Sequence, residues 1–189
     1  MLKKDQAICL RRADYSETSQ VVTLFTRETG KISAIAKGSK RPKSTFDGPI
    51  EILSFGDVVF SSPNIDKLAT LTEFQQNPAF LQLRTRLFGL NCSFFAIELL
   101  DAFTREQDPH PELFDMFIHF LTDILNTDDD FDLLGLLVLF QLTLLNEIGT
   151  KPVLNQCTNC KNPFSDKWRT SYFSSSANGL ICPDCEQAF

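Results

Sequence analysis

Short apolar runs separated by turn signals make up most of the first eighty residues. Five runs, at residues 6–12, 19–28, 30–38, 49–62 and 66–75, are rich in Val, Ile, Phe and Thr. In KISAIAK, Ile32, Ala34 and Ala36 fall on one face of an extended chain. The turn signals between the runs lie at residues 28–30, 38–42 and 61–64. Because no helical period interrupts the five runs, they predict a small antiparallel barrel, closed or nearly so.

From Pro78 onward, the apolar residues recur at the spacing of an α-helix. The pattern predicts four helices, over residues 78–89, 90–106, 111–126 and 131–149. In PELFDMFIHFLTDIL the apolar positions form one continuous stripe. Pro111 suits the first turn of a helix, where its missing N–H costs nothing, and Gly149 with Pro152 should end the last helix.

Two stretches of this helical segment admit more than one interpretation. The run Asp128–Asp130 stands where the last helix should begin. We interpret it as an N-cap that compensates the helix dipole, with a metal site from these aspartates as the alternative. The apolar run Leu133–Leu145 is 13 residues long, short of the roughly 20 that span a bilayer, so it predicts a buried core helix. We therefore expect a soluble, cytoplasmic protein.

Four cysteines near the C-terminus follow the pattern C-x2-C-x21-C-x2-C. They are Cys157, Cys160, Cys182 and Cys185. Two thiolates separated by two residues can reach one ion from a tight knuckle, and two knuckles complete a tetrahedron, which suits Zn²⁺. Two disulfides are the alternative, which a cytoplasmic setting opposes. We predict one structural Zn²⁺ per chain, because four protein ligands leave no position for water or substrate. Cys9 and Cys92 should be buried and inert.

Charge is distributed unevenly along the chain. The formal net charge is −6 and the isoelectric point is about 4.9. Residues 1–80 carry a net +2, residues 81–150 a net −9, and residues 151–189 a net +1. The acidity therefore belongs to the helical segment, and a polyanionic partner for the first eighty residues is not excluded by the overall charge.

One basic cluster lies between two predicted strands of the barrel. It consists of Lys37, Lys40, Arg41 and Lys43. Small five-stranded barrels of the OB type bind single strands through such loops, with cations on phosphates and aromatic rings on bases. The nearby candidates for this role are the cations Arg11, Arg12, Arg27 and Lys31 and the rings of Tyr15 and Phe46. The alternative is a lysine-rich loop that serves solubility, with Phe46 in the core.

No catalytic motif is visible in the sequence. The two histidines, His110 and His119, do not adjoin a Ser or Cys that resembles a nucleophile. The basic cluster also lacks the spacing of a phosphate-binding G-x4-G-K-[ST] loop. We expect a binding protein; an enzyme would need a site assembled from scattered acids such as Asp14, Glu17, Asp47 and Glu51.

Three stretches resemble the RecO recombination-mediator proteins of bacterial DNA repair. They are AICLRRADYSETSQVVTLFTRETGKISAIAKGSKRPKS, LLNEIGTKPVLNQCTNC and YFSSSANGLICPDC. The resemblance implies an α+β multidomain protein with an N-terminal OB-fold β-barrel, a central α-helical bundle and a C-terminal four-cysteine zinc module. We place these parts at residues 1–79, 80–150 and 151–189, with the zinc module packed on the helical domain.

The resemblance also implies a function and a set of partners. Such a protein binds single- and double-stranded DNA, anneals complementary strands, associates with RecR and single-stranded-DNA-binding protein, and helps load RecA. It is non-catalytic and works in the bacterial cytoplasm at the nucleoid. The family's zinc cysteines carry over onto the four cysteines named above, and its basic DNA surface carries over loosely onto the basic cluster.

Two departures from the family bear on these expectations. Family members usually continue into further helices, whereas this chain stops four residues after Cys185, so it is either truncated or lacks them. The acidic helical segment also offers only Arg84, Arg86 and Arg105 to the acidic tail of single-stranded-DNA-binding protein. A zinc-stabilised adaptor that binds only proteins is the rival interpretation.

Overall fold

A five-stranded barrel forms the N-terminal part of the protein. The computed structural model describes residues 1–61 and 68–188. The strands are Leu2–Asp14 (β1), Gln20–Thr26 (β2), Gly30–Ala36 (β3), Phe55–Ser61 (β4) and Ala69–Asn77 (β5). They close in the order β1-β2-β3-β5-β4, with β3 and β5 parallel and every other pair antiparallel. The predicted barrel of the OB type is confirmed; its one parallel pair is the exception to the antiparallel prediction.

The first strand is longer than its apolar pattern predicts. β1 pairs with β2 along one edge and with β4 along the other, so backbone hydrogen bonds extend the strand through its polar ends. The four consecutive residues from Ala7 to Leu10 are all buried. Ala7 and Cys9 face the barrel core, whereas Leu10 lines a cleft together with Phe94 and Ile97 of the helix Leu87–Phe103.

The predicted strand over residues 49–62 begins only at Phe55. Ile50 is buried in the barrel core, but Leu53 has a left-handed backbone, with φ of 71°. The apolar residues before Phe55 therefore belong to a buried loop and do not pair as a strand. Phe46 is also in the barrel core, with 3% of its surface exposed, so it is not available to stack on a base.

Three α-helices follow the barrel. They are Leu87–Phe103 (α1), Pro111–Asn126 (α2) and Asp130–Glu147 (α3). A 3-10 helix, Pro78–Thr85, replaces the first predicted α-helix, and its two buried side chains, Phe80 and Leu83, are one 3-10 turn apart. Asp129 caps α3, since its carboxylate accepts the backbone N–H groups of Phe131 and Asp132 at 2.9 and 3.0 Å. The capping interpretation of the aspartates is confirmed.

The last helix is only partly buried, which corrects the prediction of a core helix. Leu133, Phe140 and Leu144 are buried, whereas Phe131 and Val138 are 82% and 52% exposed. Phe140 stacks on Phe120 with ring centroids 4.7 Å apart, so one face of α3 packs and the other faces solvent. No helix among the described residues is long and apolar enough to cross a membrane.

Aromatic and ionic contacts join the barrel to the helices within residues 1–140, the first of two compact units. Phe25 of β2 packs on Phe114 of α2, with ring centroids 5.8 Å apart. Nearby, Lys31 places its ammonium 3.1 Å from the Asp101 carboxylate. Gly30 has φ of 79°, and a side chain there would overlap the backbone of Asp108. The β2–β3 turn therefore fits closely against the α1–α2 loop.

The second unit begins at Gln141 and contains the four cysteines. Its hairpin consists of Tyr172–Ser174 (β6) and Gly179–Ile181 (β7), followed by a 3-10 helix over Pro183–Ala188. The boundaries predicted for three domains stay a prediction. Of the predicted turn at residues 61–64, residues 62–64 lie outside the described residues.

Candidate metal centre and nucleic-acid interface

The four cysteine sulfurs converge on one point. Among the described residues, Cys157, Cys160, Cys182 and Cys185 form the one group able to hold a metal ion, and their Sγ atoms all lie within 4.8 Å of one another. Cys160 and Cys182, from different knuckles, have sulfurs 3.7 Å apart. All six cysteines are free thiols, so the disulfide alternative is not what the structure adopts.

The hairpin positions the two knuckles. Gly179 lies so close to the Val153 carbonyl and the Thr158 side chain that a Cβ there would overlap both. Thr158, inside the first knuckle, donates its backbone N–H to the Leu180 carbonyl at 2.8 Å. The second knuckle closes through the Cys185 N–H, which donates to the Cys182 carbonyl at 3.0 Å. Backbone hydrogen bonds therefore hold both cysteine pairs before any metal is considered.

The thiols differ in acidity because their hydrogen bonds differ. Burial alone would raise the pKa of the Cys157 thiol, but backbone N–H donors, foremost that of Cys182, lower it to about 6. Burial raises the pKa of Cys182 to about 12, and the neighbouring thiols of Cys185 and Cys160 add to that shift. A thiolate that accepts N–H groups is the form that binds a cation, so these backbone donors favour metal binding at Cys157.

The basic cluster lies on the long loop between β3 and β4, as predicted. Lys37, Arg41 and Lys43 are exposed, and no ion pair involves them within the described part of the chain. Lys40 is different, because its ammonium lies 2.8 Å from the Asp14 carboxylate. That hydrogen bond holds the pKa of Asp14 below its usual value. Three of the four cations therefore project into solvent without a neutralising partner among residues 1–61 and 68–188.

A buried glutamine holds this loop in place. Gln20, with no exposed surface, accepts hydrogen bonds from the Ser39 hydroxyl at 2.9 Å and the Ile50 backbone N–H at 3.0 Å. Its amide also donates to the Ile50 carbonyl at 3.0 Å. Both ends of the loop are thus fixed to the start of β2. Gln20 is not among the residues singled out in the sequence. Its position two residues before Val22, on the inward face of an apolar strand, could have indicated a buried polar role.

We expect Gln20→Ala to destabilise the barrel. The change leaves the Ser39 hydroxyl and both polar groups of the Ile50 backbone without their buried partner, at a cost of about 1–3 kcal/mol for each group left unsatisfied. Denaturant unfolding monitored by circular dichroism measures the loss. Gln75→Ala is the matched control, because Gln75 is exposed on β5. An equal effect of the two changes would contradict the role assigned to Gln20.

The β1–β2 turn lies beside the loop and carries the exposed aromatic ring. Thr18 accepts the Lys40 backbone N–H at 3.1 Å, and the Ser19 hydroxyl accepts the Gly38 N–H at 3.2 Å. Tyr15, on the same turn, is 67% exposed. One end of the barrel therefore combines unpaired cations with an available ring, the combination that contacts single strands in OB folds.

The other predicted cations are engaged elsewhere in the protein. Arg27 forms a bidentate pair with Asp115, at 2.8 and 2.7 Å, and Arg11 shares the Asp101 carboxylate with Lys31. Arg12 pairs with Glu51 at 2.8 Å. Lys31 is 12% exposed at its side chain. Arg11, Arg27 and Lys31 lie at the joint between barrel and helices, away from the loop cations. Arg12 is nearer to the loop, because it lies 3.8 Å from the Asp14 carboxylate that pairs with Lys40.

Comparison with known proteins decides the family. A family model described as "Recombination protein O N terminal" matches residues 1–77, and one described as "Recombination protein O C terminal" matches residues 84–188. This chain belongs to the RecO family of DNA repair proteins. The resemblance noted in the sequence is thereby confirmed.

Individual RecO proteins align with nearly the whole chain. The DNA repair protein RecO of Rhodopirellula baltica is 34% identical over 179 residues, which cover 95% of this chain and 65% of the relative. That of Bacillus subtilis is 35% identical over 185 residues, which cover 98% and 69%. The chain therefore spans about two thirds of the length of these RecO relatives. The N-terminal RecO model ends at residue 77, the last residue of β5.

The arginines considered for partner binding in this RecO protein have different roles. Arg86 donates to the carbonyls of Ile124 and Leu125 at 3.0 Å and also to that of Thr127, so it caps the C-terminal end of α2. Arg84 lines an open cleft between the barrel and α1, together with the Arg12–Glu51 ion pair and four apolar side chains. Those apolar residues are Ile52, Leu53, Leu90 and Phe94. Arg105 is exposed.

The histidines, the two remaining cysteines and two of the scattered acids singled out in the sequence can also be placed in the structure. His110 lies 3.4 Å from the Asp108 carboxylate on the α1–α2 loop, and His119 is exposed on α2. Cys9 and Cys92 are buried, as predicted, and burial raises the pKa of the Cys9 thiol to about 12. Glu51 pairs with Arg12, and Asp14 pairs with Lys40. Both acids therefore have cationic partners that account for their positions.

Proposed function

We propose that this chain is a non-catalytic recombination mediator that binds single- and double-stranded DNA. In this role it anneals complementary strands and helps load RecA onto strands coated with single-stranded-DNA-binding protein. The observation that carries the proposal is the anchored loop with three unpaired cations beside Tyr15, in a chain of the RecO family. A location in the bacterial cytoplasm at the nucleoid follows from the proposed ligand.

The proposed mechanism is electrostatic. Lysine and arginine side chains that contact phosphates release condensed counterions, which favours binding without sequence preference. The loop is held through Gln20, Thr18 and Ser19, so the cations do not have to be ordered when DNA binds. Tyr15 offers a face on which an unpaired base can stack. The paired cations Arg11, Arg12, Arg27 and Lys31 would contact DNA only after leaving their carboxylates.

We propose that the metal of the cysteine cluster is Zn²⁺ and that it is structural. Zn–S bonds of about 2.3 Å place tetrahedral ligands about 3.8 Å apart, close to the 3.7 Å between Cys160 and Cys182. Four protein thiolates fill the coordination sphere, so the ion supplies stability and not Lewis-acid chemistry.

RecR and single-stranded-DNA-binding protein are the proposed protein partners. The cleft lined by Arg84, Leu90 and Phe94 combines a cation with apolar surface, whereas Arg12 on the same cleft is already paired with Glu51. That combination suits an acidic peptide that carries apolar side chains, such as the tail of single-stranded-DNA-binding protein. We assign this cleft, and not Arg86, to the docking of that tail, because Arg86 already caps α2.

The salt dependence of DNA binding tests the proposal. Each phosphate contact should steepen the fall of log K with log salt by about 0.7 for a single strand, so the three loop cations without a described ion pair predict a slope of roughly −2. Fluorescence anisotropy of a labelled oligonucleotide at several salt concentrations measures it. The rival, an adaptor that binds only proteins, predicts no salt-sensitive binding, and that result would overturn the proposed function.

A further inference from the structure

A second cluster of aromatic and basic side chains lies in the cysteine-containing unit, away from the basic loop in sequence. The segment 161–169 reads KNPFSDKWR. It contains three cations, Lys161, Lys167 and Arg169, against the single acid Asp166. All four charged residues are exposed. Metal binding does not explain this cluster, because none of its residues is one of the four cysteines.

Backbone hydrogen bonds hold the segment to the first cysteine knuckle. The Phe164 N–H donates to the Asn155 carbonyl at 2.9 Å, and the Cys157 N–H donates to the Asn162 carbonyl at 2.8 Å. A tight turn follows, in which the Trp168 N–H donates to the Ser165 carbonyl at 2.9 Å. The segment is therefore anchored to the knuckle at Asn162 and Phe164, and the turn at Ser165 holds Trp168 to that anchored part.

The turn brings two rings together. Phe164 and Trp168 have ring centroids 5.4 Å apart and planes at 73°, an edge-to-face pair. Phe164 is 46% exposed, and Trp168 is half-buried, so both rings keep surface open to solvent. Because the pair is preformed, a stacking base would meet a ring that is already oriented.

The cations on either side of Trp168 have no competing partner. Lys167 and Arg169 make no ion pair within residues 1–61 and 68–188. Lys161 is turned to its own knuckle, where its ammonium donates to the Thr158 carbonyl at 2.7 Å. The sequence Lys-Trp-Arg thus places a ring between two free positive charges. Alternating rings and cations are the features by which proteins hold single strands, with stacking on bases and charge on phosphates.

We propose that Trp168, flanked by Lys167 and Arg169, is a second contact for single-stranded nucleic acid, separate from the basic loop. A base stacks on the exposed part of the indole, with Phe164 supporting the ring from its edge, and the two cations contact the flanking phosphates. The proposal rests on the proposed function only in taking the same class of ligand. It gives an annealing protein a second place at which to hold a strand.

The chain contains a single tryptophan, so its fluorescence reports on this site alone. The experiment titrates the whole chain with unlabelled oligo-dT while tryptophan emission is recorded, and measures total binding in parallel by anisotropy of labelled oligo-dT. We expect saturable quenching of Trp168 that weakens as salt rises. The double variant Lys167→Glu with Arg169→Glu should abolish the quenching. Trp168→Ala should weaken binding of oligo-dT about tenfold, whereas Trp168→Phe, which keeps an aromatic ring, should bind with nearly unchanged affinity.

Two controls separate this site from the loop and from a folding defect. Lys3→Glu with Lys4→Glu is the matched double reversal, since both lysines are exposed on β1, and it should keep the quenching. The Glu variant at 167 and 169 should keep its metal, which shows that the cysteine knuckles are intact.

The outcomes also distinguish this inference from the proposed function. Reversal of the four loop cations should weaken total binding and leave quenching of Trp168 measurable at higher oligonucleotide concentration. Binding by anisotropy with no change in tryptophan emission would overturn the second site and leave the loop assignment standing. Quenching in the 167 and 169 variant equal to that of the unaltered chain would overturn it as well.

Discussion

Changing Lys37, Lys40, Arg41 and Lys43 to Glu is expected to abolish high-affinity DNA binding by the barrel. The four changes replace attraction to phosphate by repulsion, and the loss should be on the order of 100-fold or more at low salt. Because three of the four cations make no described ion pair, their removal should leave the fold intact. Anisotropy titrations at two salt concentrations, with circular dichroism of each variant, measure both effects.

A triple variant controls for the exception in this set. Lys40 pairs with Asp14 at 2.8 Å, so a glutamate there places two carboxylates together and strains the β1–β2 turn. The variant that changes Lys37, Arg41 and Lys43 and spares Lys40 should lose most of the affinity without that strain. Unchanged affinity and an unchanged salt slope in both variants would refute the role of the loop.

Cys182→Ser is expected to remove the metal and unfold the cysteine-containing unit. Structural zinc contributes about 10–16 kcal/mol to the folding of small metal modules, and this unit has little buried apolar surface to replace that contribution. Metal analysis should give one ion per chain for the unaltered protein and none for the variant. Trp168 fluorescence should shift toward that of an exposed indole, because the turn that holds it is anchored to the knuckle of Cys157.

Cys92→Ala is the matched control for this prediction. Cys92 is a buried cysteine of α1, outside the metal group, so its loss should cost packing energy and leave the metal content at one. Circular dichroism should report that the barrel persists in Cys182→Ser. A variant at Cys182 that still binds one ion with unchanged tryptophan emission would show that the four thiols do not act as one site.

Local patterns in the sequence were sufficient for much of the architecture. The alternation around Ile32 and Ala34 identified the inward face of β3, and the stripe in α2 identified its buried side. The two pairs of cysteines predicted the group that the structure brings together. These features depend on residues near one another in the chain, where periodicity and spacing carry the information.

Features set by contacts between distant residues were not predictable in this way. Phe46 and Ile50 are buried in an irregular loop because Gln20, about thirty residues earlier, fixes the loop to β2. Arg27 and Lys31 looked like available cations, yet their carboxylate partners lie on helices about ninety and seventy residues away, respectively. Whether a cation is available to a ligand depends on whether a carboxylate from a distant part of the chain pairs with it, and no local sequence pattern contains that information.

The joint between barrel and helices means that the barrel is not a portable DNA-binding cassette. Phe25 has no exposed surface because Phe114 covers it, and the Asp101 carboxylate pairs with both Arg11 and Lys31. A fragment cut after β5 would uncover that ring and release those cations, gaining positive charge that the intact protein does not display. DNA affinity measured on such a fragment would overstate the barrel's own contribution, whereas a fragment that extends to residue 140 keeps the joint.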